Sequence, residues 1–276
     1  MAKVQINQRK IKFGANVDCP YLFLNLSPVI TKQENLYKTK DKIYSKFRYE
    51  TLNILINKFG LEKTWYSILA THIYNLHQPR FDYLLEQKEF SNAPILDIDI
   101  LNSISIGEIA TLYEYSLSLL NNDSRKKHGQ YFTPDDVAQV MAEKSLFFPK
   151  NKIWIDPCSG VGNLSFWLVK LQETGEDFLT NQLYLIDKDA LALFIARTLF
   201  TLAFQNKSKN LFHDIASHFI VTDFLFSSNL PPFDFAFLNP PYVEVKSDNR
   251  FKTAETRNLY AYFLEKVITL SNGFIS

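Results

Sequence analysis

At 276 residues the chain is long enough for one large domain or two ordinary ones, and its 46% hydrophobic content can fill a substantial core. No run approaches the roughly 18 apolar residues that span a bilayer, and the first five residues lack a signal peptide's apolar stretch, so the expectation is a folded cytoplasmic protein with no membrane partner. Two cysteines, Cys19 and Cys158, exclude a disulfide framework and lack the histidine-paired spacing of a zinc site, while a net charge of +1 shows none of the overall cationic excess that nucleic-acid binders carry.

The charge is uneven along the chain. Residues 1–50 hold ten Lys/Arg, including Arg9, Lys10, Lys38, Lys40, Lys42, Lys46 and Arg48, against four Asp/Glu. Two readings stand for this excess: a DNA-facing surface, or the ordinary solvated face of a helical segment. From about Tyr44 to Leu120 apolar residues recur at helical spacing, as in Leu52, Leu55, Ile56 and Phe59, and again in Ile106, Ile109, Leu112, Tyr113 and Tyr115. This pattern predicts a mainly α-helical N-terminal domain over residues 1–122. The turn formers and charges of residues 121–129 then read as a linker, with a second domain over residues 123–276.

Beyond the linker, Gly129-Gln130-Tyr131-Phe132-Thr133-Pro134 offers an aromatic face, a hydroxyl and backbone amides. Pro134 is suited to open a helix through Val137, Val140 and Met141, with Asp135 as a first-turn acid. The texture then changes to short apolar runs separated by helix-length segments, the pattern of βα units around a parallel sheet. Four runs are legible: 152–155 ending at Asp156, 183–186 ending at Asp187, 219–222 ending at Asp223, and 233–238 ending at Asn239. Ligands of open α/β sheets bind beyond the carboxyl ends of the strands, so these four polar residues should gather along one rim. His128, His213 and His218 read as linker or helix-surface residues, and no metal is expected.

The turn after the first run reads Asp156-Pro157-Cys158-Ser159-Gly160-Val161-Gly162-Asn163-Leu164. Gly160 and Gly162 permit a tight strand-to-helix turn and a close ligand. The spacing is not that of a dinucleotide-binding turn, and Asp156 would repel a pyrophosphate, so a cationic ligand fits better. This turn is similar to the first motif of amino-methyltransferases, which implies that it holds the methionine moiety of S-adenosyl-L-methionine. The same resemblance implies that Asp187 accepts from the ribose hydroxyls and Asp223 from the adenine amine, with Phe224 packing on that ring.

The strongest signal is Asn239-Pro240-Pro241-Tyr242. Together with the segment over 129–134, it resembles the adenine-N6 DNA methyltransferases of restriction-modification systems, over roughly residues 106–270. The resemblance implies a Rossmann-like S-adenosyl-L-methionine-dependent methyltransferase fold with a partial sheet, preceded by the helical domain. It also implies Gln130, Tyr131 and Thr133 near the cofactor's methionine end, and double-stranded DNA as partner. The adenine N6 lone pair is delocalised into the ring, so two acceptors aimed at its hydrogens are needed to draw it out. The Asn239 side chain and the Pro240 main-chain carbonyl can supply them, stiffened by two prolines. Tyr242 would stack on a base that has left the duplex. Cys158 lies in the wrong loop to be the nucleophile of cytosine-C5 chemistry.

Asn-Pro-Pro-Tyr also occurs in release-factor glutamine-N5 methyltransferases, where a planar amide nitrogen poses the same electronic problem. The segment over 129–134, the long helical half and the motif's late position favour DNA. Only 34 residues follow Tyr242, so a sheet of seven strands would stop before its fifth. The expectation is therefore a split or truncated chain, or an inactive cofactor-binding subunit, with a second polypeptide supplying the remaining strands and a target-recognition domain.

Overall fold

The computed structural model describes residues 34–120, 133–149 and 151–271. The expected linker over 121–129, Gln130, Tyr131, Arg9 and Lys10 lie outside the described residues. The N-terminal part is helical: α1 (Glu34–Phe59) and α2 (Leu61–Asn75) are adjacent, and α3 (Ile106–Leu120) follows a longer connection that carries short helical turns at Pro79–Phe81, Asp82–Leu85 and Lys88–Phe90. Gly60, at φ 79, separates α1 from α2 in the left-handed region that non-glycine residues avoid. Of the basic residues of this N-terminal segment, Arg48 donates to the Asn102 carbonyl at 3.1 Å and Lys46 sits 3.7 Å from Glu50 one helical turn on.

The helix opened by Pro134 is α4 (Asp135–Ser145). Its buried face consists of Ala138, Ala142 and Ser145, whereas Val137 and Val140 point outward. The small residues face inward because α4 packs against α5 (Asn163–Lys170), and short side chains permit a close approach. Four parallel strands follow: β1 (Trp154–Asp156), β2 (Leu183–Asp187), β3 (Phe219–Val221) and β4 (Phe235–Ala236), in the spatial order β3-β2-β1-β4. Between β1 and β2 the chain forms α5 and α6 (Gly175–Asn181); between β2 and β3 lies α7 (Ala190–Phe204), and α8 (Leu259–Leu270) is the last described helix. This is a Rossmann-like α/β arrangement. Successive connections run to one side of β1 and then cross to the other, so the switch point lies between β1 and β4.

Both faces of the sheet are covered, as parallel sheets require. Trp154, Leu183, Leu185, Phe235 and Phe237 enter a large apolar cluster that also contains Leu52, Trp65, Tyr113, Phe166 and Phe200. Ile155, Ile186, Ala236 and Leu238, one residue out of step, enter a second cluster with Phe224, Phe233, Phe263 and Val267. The helical part and the sheet thus share one core. Two polar joints secure them. Asp135 accepts from Ser105 Oγ (2.5 Å), Gly107 N–H (3.2 Å) and Trp167 Nε1 (2.9 Å), and the buried Tyr113 hydroxyl donates to Asp189 at 2.7 Å. His218 is a correction to its reading as a surface residue. It is buried because its ring stacks on Tyr184 at 4.3 Å and its Nδ1 donates to the Leu183 carbonyl, and burial lowers its pKa.

Candidate functional site

The four polar residues expected at the strand ends, Asp156, Asp187, Asp223 and Asn239, line a single cavity of about 300 Å³ at the switch point. Asp156 is 1% exposed and accepts from Ser165 Oγ at 2.7 Å and from Cys158 N–H at 3.4 Å. Burial pushes its carboxyl up to about 7, and these hydrogen bonds only partly offset that. Asp187 accepts from Gly160 N–H at 2.8 Å on one oxygen and from Asp189 N–H at 2.9 Å on the other. Burial raises its pKa too, against the pull of these two amides. A carboxylate oxygen has two acceptor sites, so Asp187 can brace the glycine turn and still take hydroxyl donors from a ligand. Asp223 is more exposed, and its carboxylate accepts from Leu225 N–H at 3.0 Å.

The two glycines of the turn have different duties. Gly160 (φ 53) lines the cavity and gives its amide to Asp187. Gly162 (φ 82) is absent from the cavity wall and caps α5, and a Cβ there would lie 2.8 Å from the Phe200 ring. Its place in the site is indirect: it lets α5 start close against the core, with Asn163 directed at the cavity.

Asn239 follows β4, and its side-chain nitrogen donates to Thr133 Oγ1 at 3.0 Å. The Asn163 side chain donates in turn to the Thr133 carbonyl. Three cavity residues from three distant segments are thereby linked. Asn163 Oδ1 is buried and has no hydrogen-bond partner among the described residues, an acceptor awaiting a donor. Asn239 N–H also donates to the Cys158 thiol, whose pKa is held well above its usual value by burial and then by Asp156 and Asp187. A thiol kept protonated in this way is a poor nucleophile. Pro240 is buried and does not line the cavity, whereas Pro241 does. Tyr242, 55% exposed, stands outside the cavity wall and stacks on Tyr260.

Helix α8 contributes more to the site than its sequence announced. Leu259 and Phe263, one turn apart, line the cavity, and Phe263 stacks on Phe224 with ring centroids 5.7 Å apart. Lys266 donates to the Leu225 and Ser227 carbonyls at 3.0 and 2.7 Å, clamping the loop that carries Asp223; burial lowers its pKa against the pull of Asp223. Glu265 accepts from Lys252 and Thr253 N–H, holding the loop beyond the tetrapeptide. The spacing of Leu259 and Phe263 was a visible signal, but it is also the spacing of any core-facing helix.

The cavity therefore has an apolar end (Phe224, Leu225, Leu259, Phe263) and an acidic rim, with Lys188 the basic residue in its wall. Three carboxylates and an orphaned amide carbonyl would repel a polyphosphate. They suit a cation bearing amino and hydroxyl donors and a flat aromatic group, which describes S-adenosyl-L-methionine. The described residues contain no cluster of His, Cys, Asp and Glu able to hold a metal ion, and no described helix is long and apolar enough to cross a membrane.

A family model described as N-6 DNA Methylase matches residues 105–272. No curated protein matches the chain. Among solved structures, a cryo-EM structure of a DrdV–DNA complex is similar over 88% of this chain and 33% of that one, at 14% identity and a TM-score of 0.52. A crystal structure of a putative class I S-adenosylmethionine-dependent methyltransferase from Listeria monocytogenes aligns over 87% and 72% of the two chains, at 15% identity and a TM-score of 0.45. The present chain spans about a third of the length of the DrdV chain, and that likeness bears on the fold.

Proposed function

Since the chain belongs to the N-6 DNA methylase family, we propose that it is an S-adenosyl-L-methionine-dependent methyltransferase whose acceptor is the N6 of an adenine turned out of duplex DNA. The observation that carries this reading is the position of Asn239, which lies three residues beyond β4 and shares one cavity with Asp156, Asp187 and Asp223. When bound, S-adenosyl-L-methionine supplies the methyl group as an electrophile. Asp156 and Asn163 would take the cofactor's ammonium donors, Asp187 its ribose hydroxyls and Asp223 its adenine amine. The stacked pair Phe224 and Phe263 would form the apolar surface against which that adenine packs.

On the acceptor side, the Asn239 side-chain carbonyl and the Pro240 main-chain carbonyl take hydrogen bonds from the two N6 hydrogens. The nitrogen is drawn towards tetrahedral geometry, and its lone pair leaves the ring. Burial of Pro240 and the tether from Asn239 to Thr133 keep these acceptors from turning. Tyr242 offers an exposed aromatic face for the base. In this reading the biological setting is the restriction-modification system implied by the segment over 129–134.

The experiment is methyl transfer from labelled cofactor to duplex DNA, followed by digestion to nucleosides. The expected product is N6-methyladenine. Label confined to protein, at glutamine, or to a cytosine derivative overturns the assignment.

A further inference from the structure

Tyr242 and Tyr260 are nearly parallel, with ring centroids 5.8 Å apart and planes inclined by 19°. Backbone pairing builds this contact. Glu244 and Asn258 form an antiparallel bridge, Leu259 N–H donates to the Val243 carbonyl at 2.9 Å, and Val245 N–H donates to the Arg257 carbonyl at 2.8 Å. Continued by one step, this register sets residue 242 opposite residue 260. The Asn258 side chain also accepts from Tyr260 N–H at 3.2 Å, so the residue that meets the tetrapeptide's strand caps α8 and holds the backbone of Tyr260.

An exposed tyrosine with no neighbour visits several side-chain rotamers, and a ligand that needs one of them must bear the cost of selecting it. Tyr242 is 55% exposed, while Tyr260 is half-buried at the start of a capped helix. A fixed ring against a mobile one removes that freedom before any base arrives. We propose that Tyr260 is a positioning residue for base capture: it holds the Tyr242 ring in the orientation in which its outer face receives the flipped adenine. The inference rests on the reading of residues 239–242 as the base-capturing site and deepens it.

The test uses a duplex carrying 2-aminopurine opposite an abasic site, titrated with the protein in the presence of S-adenosyl-L-homocysteine. Stacking on an aromatic ring quenches this base. Y260L, which keeps apolar bulk without the ring, should weaken binding of the probe by roughly three- to tenfold. Y260F should bind the probe as the wild type does. In a Y242L background, Y260L should add nothing, because its effect passes through Tyr242. Wild-type binding by Y260L, or losses that multiply in the double variant, overturn the proposal while leaving the base-capture reading intact. An unchanged Y242L overturns that reading, and the role of Tyr260 with it. Should Y260L fail to fold, Y260Q carries the same expectation.

Discussion

Asn239 and Thr133, 106 residues apart in the chain, meet in a 3.0 Å hydrogen bond from the amide nitrogen to the threonine hydroxyl. An asparagine amide is free to rotate by half a turn, exchanging its donor for its acceptor. The bond to Thr133 selects one rotation, so the threonine decides which atom Asn239 presents to a substrate. T133V, which keeps the shape and loses the acceptor, should slow single-turnover methylation by about three- to tenfold, the value of one neutral hydrogen bond. T133S should retain the wild-type rate. A T133V enzyme with undiminished turnover would show that the amide is oriented by other contacts.

Asn239 itself should matter far more to rate than to affinity. Its acceptor is needed chiefly when N6 turns tetrahedral, so N239A should reduce the rate constant by roughly 10² to 10³. Binding of cofactor and DNA should change little. A near-wild-type rate would remove residues 239–242 from the chemistry, and a loss seen only in KM would make Asn239 a binding residue.

Asp187 serves the loop and the ligand together. D187N would aim an amide hydrogen at either Gly160 N–H or Asp189 N–H, both of which need acceptors. Calorimetry of S-adenosyl-L-methionine binding should show a loss of about 1.5–3 kcal/mol, the usual value of a hydrogen bond to a charged group. Equal heats for wild type and variant would contradict the placement of the ribose at this acid.

Asp156 predicts a pH dependence of defined sign. Its value in the folded protein, about 7, lies above the ordinary 3.8. The stabilisation from this group alone is therefore fully present below 3.8 and is lost as pH rises through about 7. A cationic ligand beside the carboxylate favours its ionised form and should release the proton on binding. Affinity for S-adenosyl-L-methionine should fall by about tenfold for each pH unit below 7, and D156N should flatten the profile. Calorimetry in buffers of different ionisation heat counts the protons directly, and a count of zero at pH 6 would refute the coupling.

Gly162 separates folding from binding. G162A places a Cβ 2.8 Å from Phe200 at a left-handed φ of 82, which should lower unfolding stability by about 1–3 kcal/mol. Because Gly162 is absent from the cavity wall, cofactor affinity below the melting transition should change by less than the stability does.

The strand ends were legible because each short apolar run stops at a polar residue, and the parallel order of the sheet turns that pattern into a shared rim. Asp156, Asp187, Asp223 and Asn239 needed nothing more than this rule. The contributions of α8 were not legible, because Leu259 and Phe263 carry the same spacing as a core helix and Lys266 acts on carbonyls that no sequence pattern names. Nor did helical periodicity say which way α4 turns. Hydrophobicity favoured Val137 and Val140 for the inner face, but the close approach of α5 selects Ala138 and Ala142 instead. The glycine pattern likewise did not separate Gly160, which lines the cavity, from Gly162, whose immediate neighbour is Phe200.

The pairing of β1 with its neighbours gives the site an unusual safeguard. Trp154 pairs with Leu183 and Phe235, and Ile155 pairs with Tyr184 and Ala236. Side chains along a strand alternate in parity, so sliding β1 by a single residue would send Trp154 into the space shaped for Ile155 and the reverse. The same slip would move Asp156 from its place opposite Leu185 and so change its spacing from Asp187 and Asn239 along the rim. An indole does not fit where a sec-butyl group belongs, so a chain with misaligned carboxylates is also a chain with a broken interior. Errors in the chemistry of the rim are in this way exposed as errors of folding, and a protein that reaches its packed state has already aligned the rim.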